Sequence, residues 1–367
     1  MTVFDVLDDG GHEQVGWCRD ERSGMRAIIA IHSTVLGPAL GGTRMRTFAS
    51  EGDALHDVLR LARGMTYKAA LAGLDLGGGK AVVLGDPPPG QREPRLRAYG
   101  RFVDSLGGRY ITAEDVGTTQ ADMDLLRQET RYVTGGSEAL GGSGDPSPFT
   151  ALGVVHAMSA VAAARWGDPG LGDRHVMVVG VGKVGSALVG ELVARGARVA
   201  VADLDAERVR AVVDRYGARP VAAEDALGEP CDILAPCALG GVLDASTIAR
   251  LSCAAVCGSA NNQLAEADDV ERLAHAGILY VPDYVASAGG IINIVGELQP
   301  GGYDRDRAVE AVRAVGTTTT RVLALAEEDG ITPVAAADRL AEARLAAASG
   351  RQSSSGAPSS SAVTRGW

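Results

Sequence analysis

Two periodicities alternate along this chain. From Glu51 to Met65, apolar residues recur at Ala54, Leu55, Val58, Leu59, Leu61, Ala62 and Met65, the spacing of a helix with one buried face. Ser50, with Asp53 three positions on, reads as its N-terminal cap. Short β-branched or apolar runs read as strands: Met25–Ile31, Ala81–Leu84, Tyr110–Ala113, His175–Val179, Val199–Asp203, Asp232–Cys237, Ala254–Cys257 and Ile278–Val281. Helical patterns follow at Arg95–Leu106, Gln120–Gln128, Phe149–Trp166, Ser186–Arg195, Arg307–Ala326 and Pro333–Ala347. Strands alternating with helices predict α/β architecture, and in the second half a parallel, doubly wound sheet.

The 367-residue length exceeds one ordinary core, so two domains are expected. Residues 135–148 are rich in Gly, Ser and Pro and read as a linker or hinge. That places a substrate-binding and oligomerisation domain at 1–140 and a Rossmann-like domain at 141–330, with a cleft between them. Helices at about 330–350 are expected to pack back on the first domain, and the Ser-rich tail, 351–367, is expected to be disordered. A net charge of −11 argues against a general nucleic-acid binder. Five scattered cysteines imply no disulfide framework, and Cys253 and Cys257 sit in an apolar run without a second pair, so no metal site is expected. With no signal-peptide pattern and no apolar run of spanning length, a cytoplasmic protein that does not engage membranes is expected.

Three stretches carry candidate chemistry. Lys68 and Lys80 flank Gly77-Gly78-Gly79; this reads either as a turn before a strand or as a lysine held at the mouth of a cleft, partly desolvated. Gly37–Arg44 reads as a loop, a tight turn or a backbone surface for a ligand. Glu114-Asp115-Val116-Gly117-Thr118 is either the cap of the next helix or an acidic pair at a strand end.

The most specific local motif is Gly180-Val181-Gly182-Lys183-Val184-Gly185. A strand precedes it, a helix follows from Ser186, and Asp203 ends the next strand about 20 residues on, the arrangement of a dinucleotide fingerprint. The helix N-terminus suits a pyrophosphate. Asp203 suits ribose hydroxyls and, with Asp205, disfavours a 2′-phosphate, so NAD is expected over NADP. Cys237-Ala238 and Ser259-Ala260-Asn261-Asn262 lie at strand ends and should border the cofactor.

Together, Gly41-Gly42-Thr43-Arg44, Gly64-Met65-Thr66-Tyr67-Lys68, Leu76–Lys80, Thr112–Gly117, Pro146-Ser147-Pro148 with Thr150, and Gly258–Asn262 resemble the glutamate, leucine, valine and phenylalanine dehydrogenase family, most of all its leucine/valine branch. The similarity runs from about residue 25 to about 340. It implies reversible oxidative deamination of an L-amino acid to a 2-oxo acid and ammonia, with NAD. By resemblance, Lys68 holds the substrate carboxylate, helped by Gly41, Gly42 and Met65. Lys80, with a lowered pKa, is the general base, Asp115 shuttles protons, Asn262 orients the substrate and Thr150 grips the nicotinamide. Closure of the 135–148 hinge then brings substrate and cofactor together. Leu40, Ala113, Ile291 and Ile294 line an apolar side-chain pocket that suits a branched aliphatic chain, tilted toward valine. The resemblance also implies a homo-oligomer, dimer to octamer. Ala69 departs from the family's asparagine. A phenylalanine-type or broader dehydrogenase, and a catalytically silent NAD-binding sensor, are the competing readings.

Overall fold

The computed structural model describes residue 7, residues 10–238 and residues 240–354. The chain divides into two compact units. One comprises residues 1–145, 294–307 and 341–367, the other 146–293 and 308–340.

The first unit is built on a five-stranded sheet in the order β1-β2-β4-β3-β5. Its strands are β1 (Gln14–Asp20), β2 (Met25–Ser33), β3 (Ala39–Arg46), β4 (Gly77–Leu84) and β5 (Tyr110–Glu114). β3, β4 and β5 are parallel, whereas β2 runs antiparallel to both β1 and β4. The helix Glu51–Leu71 covers one face, starting at Ser50, whose hydroxyl accepts from the Asp53 N–H. Ala54, Val58, Leu59 and Ala62 pack on Ile28, Ala30 and Val82 beneath it. Burying a Val or Leu side chain stabilises by roughly 1.5–3 kcal/mol, so the contact fixes the helix by its N-terminal half. On the opposite face Met25, Ile29, Val83 and Tyr110 join Leu96, Tyr99 and Val103 of the helix Pro89–Ser105 in a second core.

Several expectations change here. β1 carries too little apolar alternation to be seen in the sequence and is held as a partner of β2. The glycines expected in a turn before Ala81 lie inside β4, and Gly41 and Gly42, expected in a loop, lie inside β3. Glycine has low strand propensity, but here the strands are central and their neighbours need the space. A Cβ on Gly78 would stand 2.0 Å from the Thr66 nitrogen of the covering helix, and one on Gly41 would stand 1.7 Å from the Gly79 carbonyl oxygen.

Residues 135–148 do not form a free linker. Glu297 Oε1 accepts from the N–H groups of Gly135 (2.9 Å) and Ser143 (2.7 Å), and its other oxygen pairs with Arg127. Every one of these groups belongs to the first unit, and the division falls at Asp145/Pro146. Glu342 accepts from the Tyr67 hydroxyl and Arg344 donates to the Ala70 carbonyl, so the end of the helix Pro333–Ser354 lies on the helix Glu51–Leu71. The expected tail falls outside the described residues from 355 onward.

The second unit holds a six-stranded, wholly parallel sheet. Its order is β11-β10-β9-β6-β7-β8, from β6 (His175–Val179), β7 (Arg198–Ala202), β8 (Arg219–Pro220), β9 (Cys231–Pro236), β10 (Cys253–Val256) and β11 (Leu279–Tyr280). The order reverses between β6 and β9, which makes their carboxyl ends the ligand-binding crevice of a doubly wound sheet. The helix Ser147–Trp166 is, contrary to expectation, long and apolar enough to cross a membrane by length and composition. Its residues Val154, Val155, Met158 and Val161 are fully buried in this unit, as in the core helix of a globular domain.

His32, on β2, is buried with its Nδ1 2.9 Å from Thr66 Oγ1 and its ring edge-on to His12. Burial, then the nearby His12 and Arg63, hold its pKa down at about 4. The unfolded chain, with an ordinary histidine near 6.5, therefore takes up this proton first. The resulting stabilisation is complete above pH 6.5 and is lost as pH falls toward 4. Thermal melts between pH 7 and 4.5 are expected to drop steeply for the native protein and less for H32Q; equal drops would place the acid sensitivity elsewhere.

Candidate active site

Strand register assembles the first half of the site. Leu40 pairs with Gly78 and Thr43 with Ala81, which sets Gly42 beside Lys80. On the other side Leu40 pairs with Ile111 and Gly42 with Ala113. Side chains alternate across a sheet, so Leu40, Gly42, Arg44, Lys80, Ala113 and Asp115 share the face that the helix Glu51–Leu71 covers. Lys68 and Met65 lie in the last two turns of that helix, and both are half-buried. Gly78 lets the Thr66 backbone sit directly on β4, which brings the Lys68 turn down onto the sheet. Gly42 gives way to Asp115, whose Cβ would lie 2.7 Å from a Cβ at position 42. The glycines thus permit close packing of chain on chain.

Lys80 Nζ lies 2.9 Å from Asp115 Oδ2, and the lysine side chain is only 7% exposed. Asp115 does not cap a helix: Thr119 does, in a capping box with Asp122. Instead the Asp115 Oδ2 also accepts from Arg44 Nε at 3.1 Å, and Arg44 Nη1 continues to Asp57 at 2.8 Å. Burial opposes ionisation of Asp115, but Lys80 and Arg44 outweigh it and hold the carboxyl below its usual range. Burial likewise works against the Arg44 charge, and Asp115 and Asp57 more than restore it. Sequence reasoning missed Arg44 and Asp57 as members of this chain of charges. The available signal was alternation, since Arg44 stands two residues beyond Gly42 on one strand. Chemically, the arrangement is a buried amine with a carboxylate at hydrogen-bond distance, a fixed positive charge, Arg44, behind that carboxylate, and apolar Leu40 and Ala113 alongside.

Ile294 opens the returning segment of this unit, its Cγ2 3.9 Å from where a Cβ on Gly135 would stand. A cavity of about 380 Å³ in this unit, bordered by Pro38, Ile111, Val133, Glu297 and Leu298, shares none of the residues expected to line the side-chain pocket.

The remaining site residues belong to the second unit. At the switch point the three fingerprint glycines have different neighbours. Gly180, with φ +98°, would bring a Cβ within 2.6 Å of Ala238, so the β6 and β9 loops touch there. A Cβ on Gly185 would strike the Gly180 carbonyl at 1.9 Å, whereas Gly182 faces open space, with nothing within 4 Å. One glycine therefore serves the turn, one the packing of helix on strand, and one leaves room for a ligand beside the N-terminus of the helix Lys183–Ala194. Val181, Val184 and Ser186 flank this opening, Val181 with its side chain buried. Asp203 accepts from the N–H of Val181 (2.8 Å) and of Asp205 (2.9 Å), which aims its carboxylate at the crevice. Asp205 is instead the N-cap of the helix Ala206–Tyr216. The residues present fit a dinucleotide.

Cys237 donates its N–H to Val179 and Ala260 donates to the Pro236 carbonyl, so both loops lie on the crevice strands. Thr150 lies in the first turn of the helix Ser147–Trp166, its hydroxyl donating to the Pro146 carbonyl at 3.1 Å. The Gly289-Gly290 pair packs on that same turn: their Cβ positions would meet the Phe149 carbonyl at 1.9 Å and Thr150 Oγ1 at 2.6 Å. Ile291 follows in the helix Gly289–Val295 and is buried. Asn261 and Asn262 are exposed, and Asn262 adopts φ +52°.

Known proteins match this chain along nearly its whole length. The family model described as the Glu/Leu/Phe/Val dehydrogenase dimerisation domain matches residues 12–132, and that of glutamate/leucine/phenylalanine/valine dehydrogenase matches residues 201–352. Valine dehydrogenase of Streptomyces coelicolor is 54% identical over 93% of this chain and 94% of its own length. Leucine dehydrogenase of Thermoactinomyces intermedius is 50% identical over 94% of each. Among solved structures, L-tryptophan dehydrogenase from Nostoc punctiforme superposes with a TM-score of 0.82 at 41% identity, covering 95% of this chain and 99% of that one. With the lysine and aspartate of the sheet face and the glycine fingerprint both in place, the chain belongs to the Glu/Leu/Phe/Val family of amino acid dehydrogenases, which use a nicotinamide cofactor.

Proposed function

We propose that the protein catalyses the reversible oxidative deamination of a branched-chain aliphatic L-amino acid to its 2-oxo acid and ammonia, with NAD as oxidant. The observation that carries the reading is the Lys80–Asp115 pair, set beside apolar Leu40 and Ala113 on one sheet face. Lys68 anchors the substrate carboxylate as a fixed positive charge, with Met65, Gly41 and Gly42 shaping its surroundings. Lys80 takes a proton from the water that attacks the imine carbon and stabilises the negative charge that develops on its oxygen. Asp115 passes protons to and from the departing amine, and Arg44 keeps it charged between steps. Asn262 orients the substrate. Glutamate is disfavoured, because the residues that the resemblance assigns to the side-chain pocket, Leu40, Ala113, Ile291 and Ile294, are all apolar, and an unpaired charge is costly to bury.

The bound nicotinamide supplies the acceptor for the substrate's α-hydrogen. The loop Gly180–Ser186 would hold the pyrophosphate, Asp203 the ribose hydroxyls, and Thr150, Cys237, Ala238, Ala260 and Asn261 the remainder. A fixed carboxylate at Asp203 repels a 2′-phosphate, which favours NAD over NADP. We assign the protein to the cytoplasm, consistent with five free thiols. We also assign it a homo-oligomeric state: β1 is an edge strand with Trp17 52% exposed on it.

The test is NADH formation at alkaline pH with valine, leucine, isoleucine, phenylalanine, tryptophan and glutamate, repeated with NADP. Turnover of the three branched-chain substrates is expected to exceed that of the aromatic ones by at least about tenfold, the scale that pocket fit can deliver. A preference for phenylalanine or tryptophan would refute the pocket assignment, and no turnover at all would refute the enzyme reading.

A further inference from the structure

Among the described residues only Asp173 and Asn262 are non-glycine residues with positive φ. Asp173 lies in the turn before β6. Asn262, at φ +52°, is exposed at the carboxyl end of the sheet. Asparagine enters the left-handed region more readily than most non-glycine residues, but fixed contacts are needed to hold it in that one conformation. Two contacts do so here. The Asn262 carbonyl accepts from the Gly241 N–H at 2.7 Å, and the Asn262 N–H donates to Asp283 Oδ2 at 3.0 Å. Position 240 must be glycine for the first contact, since a Cβ there would lie 2.4 Å from the Asn261 carbonyl oxygen and 2.7 Å from that of Asn262. The second contact is charge-assisted and stronger than a neutral hydrogen bond. Asp283 opens the short helix Asp283–Ala286 directly after Pro282, three residues on from the buried Tyr280 of β11.

We propose that Asp283 is a positioning residue for the reaction: its carboxylate clamps the Asn262 peptide in the left-handed conformation and so fixes where the Asn262 amide meets the substrate. The proposal rests on the reading of Asn262 as the group that orients the amino acid. Asp283 touches no substrate atom in this scheme; it acts through the Asn262 backbone.

The experiment is steady-state kinetics on D283A, D283N, N262A and the D283A/N262A pair, with NADH affinity measured by fluorescence titration. In D283A the KM for the amino acid is expected to rise about tenfold or more while the NADH Kd stays within about threefold. D283N keeps an acceptor oxygen and is expected to fall between D283A and the native protein. In the N262A background, D283A should add less than about twofold, because the clamp has no side chain left to aim. Additive effects, or a D283A variant with native amino acid KM beside an impaired N262A, would overturn the clamp while leaving the role of Asn262 intact. A native-like N262A would remove the underlying reading of Asn262 and the clamp with it. Should D283A fail to fold, D283E, which moves the carboxylate by one methylene, is read in the same way: native amino acid KM would overturn the proposal.

Discussion

K80A is expected to lower kcat by about 10³-fold or more, within the span of a positioned general acid–base group plus charge stabilisation, with the protein still folded. The fold survives because Asp115 keeps Arg44 at 3.1 Å when the lysine is removed, so no buried carboxylate is left unpaired. Activity is lost because the amine held 2.9 Å from Asp115 by the sheet is gone. K80R separates charge from proton transfer. A guanidinium keeps the positive charge beside Asp115 but does not give up a proton in a protein, so kcat should stay near the K80A level while the amino acid KM moves back toward native. Steady-state kinetics with circular dichroism as the folding control decide the matter. A K80A variant retaining more than about a tenth of native kcat would refute Lys80 as the base, since that falls short of the hundredfold minimum for such a group.

G78A is expected to destabilise the first unit by about 3 kcal/mol or more, at the upper end of overpacking costs, and to raise the amino acid KM. The added methyl would stand 2.0 Å from the Thr66 nitrogen and 2.3 Å from its hydroxyl. Backbone cannot turn aside as a flexible side chain can, so the helix Glu51–Leu71 must lift from β4. Lys68 lies two residues past the point of contact and moves with it. The control is G64A on the same helix, where a Cβ meets nothing within 4 Å; there alanine gains helix propensity of up to about 1 kcal/mol. Urea melts and KM measured together test the link. A G78A protein with native stability would show that the contact between helix and β4 is looser than the structure has it. Lost stability with an unchanged KM would separate that contact from the placement of Lys68.

Both variants sit in the stretch Met65–Lys80, where the sequence was most informative about chemistry and least informative about structure. Glycines and strand ends marked Lys68, Lys80 and Asp115 as candidates but left turn and cap readings open; the resemblance assigned their roles, and the structure pairs Lys80 with Asp115. In the second unit the five strands β6, β7, β9, β10 and β11 were legible, because buried parallel strands read as apolar runs; the short exposed edge strand β8 and the helix Ala206–Tyr216 were not.

The amino-acid order by itself determined most of the alternation of strands and helices, the Ser50 cap and the glycine fingerprint, because each rests on local periodicity or short spacing. Only the tertiary structure decided what the glycines are for. A glycine in a strand and a glycine in a turn look alike in sequence, and the difference lies in a neighbour such as Thr66, Gly79 or Asp115 brought in from elsewhere. The same holds for Arg44 and Asp57, for Glu297 tying residues 135 and 143, and for Asp283 on the Asn262 peptide. Each of those contacts joins residues well apart in the chain, and no local pattern encodes a partner that only folding supplies.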